Sequence, residues 1–303
     1  MIRIVFMGTP DYAAEILKGL LDASDIEVQA VYTQPDKPVG RKAVLTAPPV
    51  KVLAEEAGIR VIQPGRLRDP QTVAELRTIP CDLIVVAAYG QILPKEILEY
   101  VPCINLHASI LPAYRGASPI QQSLLNNDAQ TGITAMWMDE GLDTGSIIDV
   151  RKIPIGPDEM VESLYARLTD TAVELTLDVV RRWDRHTALP QNDAEATHCR
   201  KITKSEGLID FGDAREIYNR YRAYTPWPGI HLESGLKIKE MALEEETSRG
   251  TPGEIVAVDK ESIVVACRKG KLRIFTVQAP SKQEASAVDY LNGKRIARGN
   301  TLV

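Results

Sequence analysis

Residues 83–88 read Leu-Ile-Val-Val-Ala-Ala. Neighbouring side chains on a strand point to opposite faces, so this run is apolar on both. Such a strand has to be covered above and below, as an inner strand of a parallel sheet is when helices flank it. The start of the chain follows the same pattern. Ile2–Met7 is apolar apart from Arg3, Gly8-Thr9-Pro10 makes a turn, and Ala14, Leu17, Leu20 and Leu21 recur at helical spacing. Strand, turn and helix form the first half of a doubly wound α/β unit. Further strands are expected over 26–32, 131–138 and 147–155, with helices over 50–57 and 160–183. Gly8 lacks the second and third glycines of a dinucleotide-binding turn, so no nicotinamide cofactor is expected.

In open α/β sheets, ligands bind where the strands run out at their carboxyl ends. Two polar stretches fall there. Tyr89-Gly90-Gln91-Ile92-Leu93-Pro94 follows the apolar run, and Asn105-Leu-His-Ala-Ser-Ile-Leu-Pro-Ala-Tyr-Arg-Gly116 follows a short strand beginning at Cys103-Ile104. Asn105 and His107 are two apart, so on an extended segment both face the same side. An amide there can donate to a developing oxyanion, and an imidazole can move a proton. Gly116-Ala117-Ser118-Pro119 reads as a helix start, with the helix running to about Asn127. A glycine-framed loop, Asp139 to Gly145, brings an acid, Asp143. Singly, a strand-end histidine is more often structural, and an aspartate in such a loop is usually a turn residue. Jointly, Asn105, His107 and Asp143 suit an acyl transfer. No serine or cysteine sits in a nucleophile elbow and no His/Glu metal motif appears. The set therefore points to direct transfer onto a nucleophile that the substrate brings.

Two features lie outside this framework. Thr33 to Pro49 is too long for an ordinary βα turn; it carries Pro35, Pro38, Pro48 and Pro49 with Lys37, Arg41 and Lys42, and reads as a loop that orders on an anionic partner. From Ala188 to Glu206 the periodicity is lost, as in an interdomain linker. Beyond it comes a helix over 214–224, then short alternating runs at 230–238, 254–258, 263–267 and 272–277, which suggest a small barrel. With 303 residues the chain suffices for two domains, here 1–189 and 207–303 joined by 190–206. The net charge of −5 hides an asymmetry. Residues 208–303 hold 15 Lys and Arg against 13 Asp and Glu, a net +2. Phosphate binding needs a local basic face only, so charge leaves nucleic acid open. No stretch approaches the roughly 18 apolar residues of a membrane span, and Met1 leads straight into a strand without a signal-peptide profile. Cys81, Cys103, Cys199 and Cys267 show no metal-ligand spacing; reduced thiols in a cytoplasmic protein are expected.

The segments Asn105–Pro112, Tyr114–Ile120 and Gly141-Leu142-Asp143-Thr144-Gly145 resemble the signature of folate-dependent formyltransferases. Gly8-Thr9-Pro10-Asp11, Thr33–Asp36 with Gly40-Arg41 and Pro49–Lys51, Ala88–Pro94, Pro226-Trp227-Pro228 and Gly299–Val303 extend the resemblance over the whole chain, to the branch that acts on charged tRNA. It implies an α/β Rossmann-like formyltransferase domain with a mostly parallel sheet, followed by a small OB-like β-barrel that binds tRNA. It also implies 10-formyltetrahydrofolate as formyl donor, methionyl-initiator tRNA as acceptor, and no metal. Catalysis would fall to Asn105, His107 and Asp143. Folate contacts would fall to Ser109, Ile110, Leu111 and Pro112, and the pterin pocket to Tyr89, Gly90, Gln91, Ile92 and Leu93 with the Asp143 loop. Arg41, helped by Lys42 and Lys37, would reach the acceptor end of the tRNA, and a monomer is expected. Two departures from the family pattern stand out. Ala108 occupies a family glycine position, and Arg41-Lys42-Ala43-Val44 is poorer in basic residues. A formyltransferase acting on a small amine, such as an amino sugar or glycinamide ribonucleotide, shares the triad but has no need of the long basic loop and second domain. A folate hydrolase would hand the formyl group to water. A non-catalytic RNA-binding protein would not need the triad.

Overall fold

The structure, a computed structural model, describes residues 1–40 and 42–302. It divides into two compact units. The first comprises Met1–Pro119, Gln130–Pro154 and Tyr165–Cys199; the second comprises Ile120–Ala129, Ile155–Leu164 and the chain from Arg200 on. Among the described residues no helix is long and apolar enough to cross a membrane.

The chain begins β1 (Ile2–Gly8), α1 (Asp11–Asp22), β2 (Ile26–Tyr32), β3 (Lys37–Val39), β4 (Val44–Thr46), α2 (Pro49–Glu56) and β5 (Val61–Ile62). There follow α3 (Pro70–Leu76), β6 (Leu83–Ala87), α4 (Lys95–Leu98), β7 (Cys103–His107) and β8 (Arg115–Gly116). Next come α5 (Pro119–Leu125), β9 (Gln130–Trp137), β10 (Ile147–Pro154), α6 (Val161–Arg181) and β11 (His198–Cys199).

Seven of these strands form one sheet in the order β10-β9-β7-β6-β1-β2-β5. The pairs from β5 to β7 are parallel, whereas β9 runs antiparallel to both β7 and β10. As its composition demands, β6 lies inside the sheet with all five residues buried. Its core includes Val5, Met7, Ile84 and Val86 from the sheet, with Leu67, Leu76 and Ile97 from the covering segments. In α1 the buried stripe is Tyr12, Ala13, Ile16, Leu17 and Leu20, while Ala14 and Leu21, expected on it, are half-buried.

The stretch 33–49 is not a structureless loop. Lys37–Val39 and Val44–Thr46 pair as an antiparallel hairpin, β3–β4, whose residues are all exposed. Its base is anchored: Asp36 takes Lys51 Nζ at 2.9 Å and Gln63 Nε2 at 2.7 Å. Those two contacts, Gln63 foremost, hold the Asp36 carboxyl below its ordinary range.

In the second unit, α7 (Ala214–Tyr224) precedes β12 (Ile230–His231), β13 (Lys237–Glu245), β14 (Ile255–Val258), β15 (Ile263–Ala266), β16 (Lys271–Gln278), β17 (Glu284–Ser286) and α8 (Ala287–Lys294). The strands pair antiparallel in the order β12-β13-β16-β15-β14, with β17 also on β16. The run 230–238 is two strands, not one: Leu232 N–H bonds Leu236 O at 2.9 Å across a turn whose Gly235 has φ +82°. Arg222 on α7 is almost wholly buried. Its Nη2 donates to Asn127 Oδ1 and Asn219 Oδ1, each at 2.8 Å, while Tyr218 Oη donates to Asp158 Oδ1 at 3.0 Å. These bonds fasten 120–129 and 155–164 to a unit built mainly from later sequence.

Candidate active site

Strand β7 carries Asn105 and His107 to the carboxyl edge of the sheet. Asn105 pairs with Val86 of β6 and Met136 of β9, and His107 with Thr134 of β9. Ile104 and Leu106, which point the other way, are buried. The polar pair therefore shares one side, as the strand period requires.

Asp143 reaches that side from the loop after β9. Its Oδ2 accepts the Gly116 N–H at 2.8 Å, and its Oδ1 lies 3.4 Å from Asn105 Nδ2. Oδ2 is 3.6 Å from His107 Nδ1, an ion-pair distance rather than a hydrogen bond. The other ring nitrogen, Nε2, lies 2.9 Å from Tyr114 O. A carbonyl oxygen only accepts, so Nε2 carries the proton. With Nε2 as donor to the Tyr114 carbonyl, Nδ1 is the ring nitrogen that faces Asp143.

Three of the eight described non-glycine residues with positive φ lie in these segments. Ala88 (φ +46°), Tyr114 (φ +60°) and Asp143 (φ +56°) all occupy the left-handed region without being glycine. Such conformations cost about 1–3 kcal/mol each and persist only where the surroundings impose them. Gly116, at φ +122°, is a glycine for a steric reason: a Cβ there would lie 2.1 Å from Cys199 O. The close approach of β8 to β11 aims the Gly116 N–H at Asp143.

The residues of the expected folate segments divide into those engaged within the fold and those left exposed. Ser109 is fully buried and its Oγ donates to Ala113 O at 2.6 Å, so the side chain shapes the 109–113 turn. Thr134 Oγ1 braces the same turn, donating to Ser109 O at 2.6 Å and accepting from Leu111 N at 3.1 Å. Leu111 is buried, while Ile110 and Pro112 are half-buried. Gln91 is likewise engaged, with Oε1 accepting Leu67 N at 2.7 Å and Nε2 donating to Pro64 O at 3.1 Å. Gly90 (φ +83°) is exposed, Leu93 buried, and Ile92 exposed at 79%. Tyr89 is buried, and its hydroxyl finds no partner among the described residues. Burial pushes that hydroxyl's pKa up, so it stays a neutral donor. Lys37 and Lys42 are exposed on and beside the β3–β4 hairpin; Arg41 lies outside the described residues. Among the described residues no group of three or more His, Cys, Asp or Glu side chains could hold a metal ion.

Two residues at the site carried no assigned role in the sequence. Arg115, within the motif, is only 4% exposed, with Nε and Nη2 donating to Gln191 Oε1 at 3.1 and 2.8 Å. Gln191 lies in the polar stretch expected as a linker, yet 190–199 packs within the first unit. Nothing local marks Gln191; the buried arginine's need for an acceptor was the one available hint.

Residues 2–180 match the family described as formyl transferase, and residues 201–295 its C-terminal domain. Fold and site together define a two-domain formyl transferase. Methionyl-tRNA formyltransferase of Sulfurimonas denitrificans is 56% identical over 301 residues, 99% of this chain and 100% of that protein. The chain belongs to the methionyl-tRNA formyltransferase family. Two solved structures share the fold at low identity. One is an N-formyltransferase from Helicobacter canadensis in complex with folinic acid and dTDP-3-aminofucose (TM-score 0.69, 20% identity, 92% of this chain and 100% of that one). The other is HypX from Aquifex aeolicus in complex with tetrahydrofolic acid (TM-score 0.63, 18% identity, 96% of this chain and 47% of that one).

Proposed function

We propose that this protein transfers a formyl group from 10-formyltetrahydrofolate to the α-amino group of methionyl-initiator tRNA, in the cytoplasm, with Asn105, His107 and Asp143 as the catalytic residues. The observation that carries this reading is the convergence of an amide, an imidazole and a carboxylate at the carboxyl edge of the sheet, in a chain whose full-length relative is named for methionyl-tRNA. Ile92, exposed on the segment after β6, is proposed as one apolar contact for the donor. When bound, 10-formyltetrahydrofolate would supply the formyl carbon and a nitrogen leaving group.

The nucleophile is an α-amine, with a reference pKa of about 7.7–8.0 that the adjacent ester lowers, so much of it is neutral at cellular pH. The protein therefore need not supply a strong base. It must orient the reactants, stabilise charge on the formyl oxygen and move one proton. Asn105 Nδ2 is the donor for that oxygen, and its long 3.4 Å contact with Asp143 leaves it available. His107 presents an Nε2–H whose present acceptor is a backbone carbonyl, which a substrate oxygen can replace or share. As the new C–N bond forms and the old one breaks, the proton lost by the amine passes by way of Asp143 and His107 to the departing nitrogen.

Lys37 and Lys42, with Arg41, are proposed to contact tRNA phosphates from the hairpin, whose anchored base would hold them in place. An amino-sugar acceptor is the reading to exclude, because the Helicobacter canadensis enzyme of this fold was solved with one. Incubation with 10-formyltetrahydrofolate and either methionyl-initiator tRNA or free amino sugars separates the two. Formylation of the tRNA is expected; formylation confined to small amines, or to neither, would refute the proposal.

A further inference from the structure

We infer that Gln191, coupled to Arg115, is a positioning residue that holds Asp143 in its working conformation; the inference rests on the catalytic reading above. The Gln191 side chain uses its full hydrogen-bonding capacity within the loop network. Its Nε2 lies 2.9 Å from Asp143 O and 2.8 Å from Gly145 O, which takes both amide hydrogens. Its Oε1 accepts both the Nε and the Nη2 of Arg115. Arg115 in turn reaches Asp193 Oδ1 at 2.8 Å.

The backbone on either side is fixed too. Leu189 exchanges hydrogen bonds of 2.8 and 2.9 Å with Ile147, just past the Asp143 loop, and Arg115 N–H bonds Thr197 O at 2.9 Å. Asp143 is consequently gripped at two points, its main-chain carbonyl by Gln191 and its carboxylate by the Gly116 N–H. Arg115 joins those grips, because it precedes Gly116 in sequence and donates to Gln191. Its φ of +56° lies in the left-handed region, uncommon for a non-glycine residue although aspartate tolerates it better than most, and the two grips hold it there. The chemistry of the clamp also selects the residue type. Two carbonyls require a double donor, a guanidinium requires an acceptor, and a primary amide on a side chain of this length supplies both.

The test is a double-mutant cycle of Gln191→Glu against Asp143→Asn, read as kcat, KM and melting temperature of the full-length enzyme. Glutamate keeps the Arg115 contact but turns both donors into acceptors facing carbonyls. We expect kcat to fall about 10–100-fold, the range for misplacing a reacting group by around an ångström. KM for methionyl-initiator tRNA should stay within about twofold and the melting temperature near the parent's. In the Asp143→Asn background the same change should cost less than about twofold, because non-additivity reports action through a shared group. If Gln191→Glu melts far below the parent, Gln191→Met, uncharged and of similar length, carries the same cycle. Retention of full kcat by the Gln191 variant overturns the inference. So does an equal loss in both backgrounds when Asp143→Asn is itself impaired, and this leaves the catalytic reading intact. An unimpaired Asp143→Asn enzyme overturns the catalytic role of Asp143 and this inference together.

Discussion

Replacing Asn105 by alanine separates the chemistry of this site from its architecture. The side chain is half-buried, and its Nδ2 approaches Asp143 Oδ1 at 3.4 Å. A bond of that length is weak, so its loss should cost at most about 0.5–1.5 kcal/mol of stability. In a domain of this size that lowers the melting temperature by only a few degrees, at roughly 2–4 °C per kcal/mol. Asp143 stays held by the Gly116 N–H at 2.8 Å, so the carboxylate should not move. If Asn105 donates to the oxyanion, however, its removal should lower kcat about 10²–10³-fold, equivalent to about 2.7–4 kcal/mol of barrier. The assay is formylation of methionyl-initiator tRNA at saturating donor, alongside the KM for the donor and a melting curve. The expected pattern is a large fall in kcat with donor KM within about twofold and a nearly parental melt. Asn105→Asp, which matches the shape but places a second carboxylate beside Asp143, should be at least as impaired. A kcat within about threefold of the parent, or a loss that follows unfolding, would refute the assignment.

Three further outcomes test the framework around the site. Thr134→Val keeps the shape but strands the Leu111 N–H and Ser109 O, so a loss of about 2–4 kcal/mol is expected from two unmet buried groups; calorimetry showing a parental melt would contradict the bracing role. Arg222→Leu leaves Asn127 Oδ1 and Asn219 Oδ1 without their buried donor and removes the 3.4 Å contact of Nη1 with Gly156 O, so hydrogen exchange should rise across 120–129 and, less steeply, 155–164, where Tyr218 still holds Asp158; unchanged protection across 120–129 would show that the arginine is not what fastens it. At Asp213, the N-cap of α7, burial pushes the carboxyl pKa up, but Lys269 at 2.8 Å and the backbone N–H groups of Glu216 and Arg215 outweigh it, so the net shift is downward. A lowered folded-state value means the stabilisation is complete above the unfolded pKa of about 3.9 and drains as pH falls through the folded value. Asp213→Asn retains a capping oxygen but loses this dependence. Its melting temperature should therefore lie below the parent's near neutrality and converge with it in acid; a constant gap down to about pH 2 would rule the linkage out.

Strands β1 and β6 were legible because burial on both faces leaves an apolar run, and Ile26–Tyr32 has the same bounds read from sequence and from structure, whereas the two-residue β5 was not anticipated. The pairing of Asn105 with His107 on one side was legible too, from a period of two. The β3–β4 hairpin was not. Its strands are three residues long and wholly exposed, so burial imposes no alternation on them. The division of 230–238 into β12 and β13 was hidden for a related reason: Leu232 and Leu236, on either side of the turn, are both buried and continue the apolar pattern through it. Ser109 and Gln91 looked like ligand contacts because the polar residues of a motif resemble one another in sequence. Their side-chain hydrogen bonds to the surrounding loops were not legible in that pattern.

By itself the sequence determined the α/β class of the first unit, the strand edge that holds the site and, through its motifs, the formyltransferase family. Each of these follows from side-chain periodicity or from residues close together in the chain. Tertiary structure alone decided how the Asp143 carboxylate is held and that Gln191 packs against the Asp143 loop. Those facts depend on contacts that segments make across the fold, 27 positions apart for Gly116 and Asp143, 48 for Gln191 and Asp143 and 76 for Gln191 and Arg115. Such contacts exist only once the buried sheet has brought its strand ends and loops together, and no local pattern in the chain encodes them.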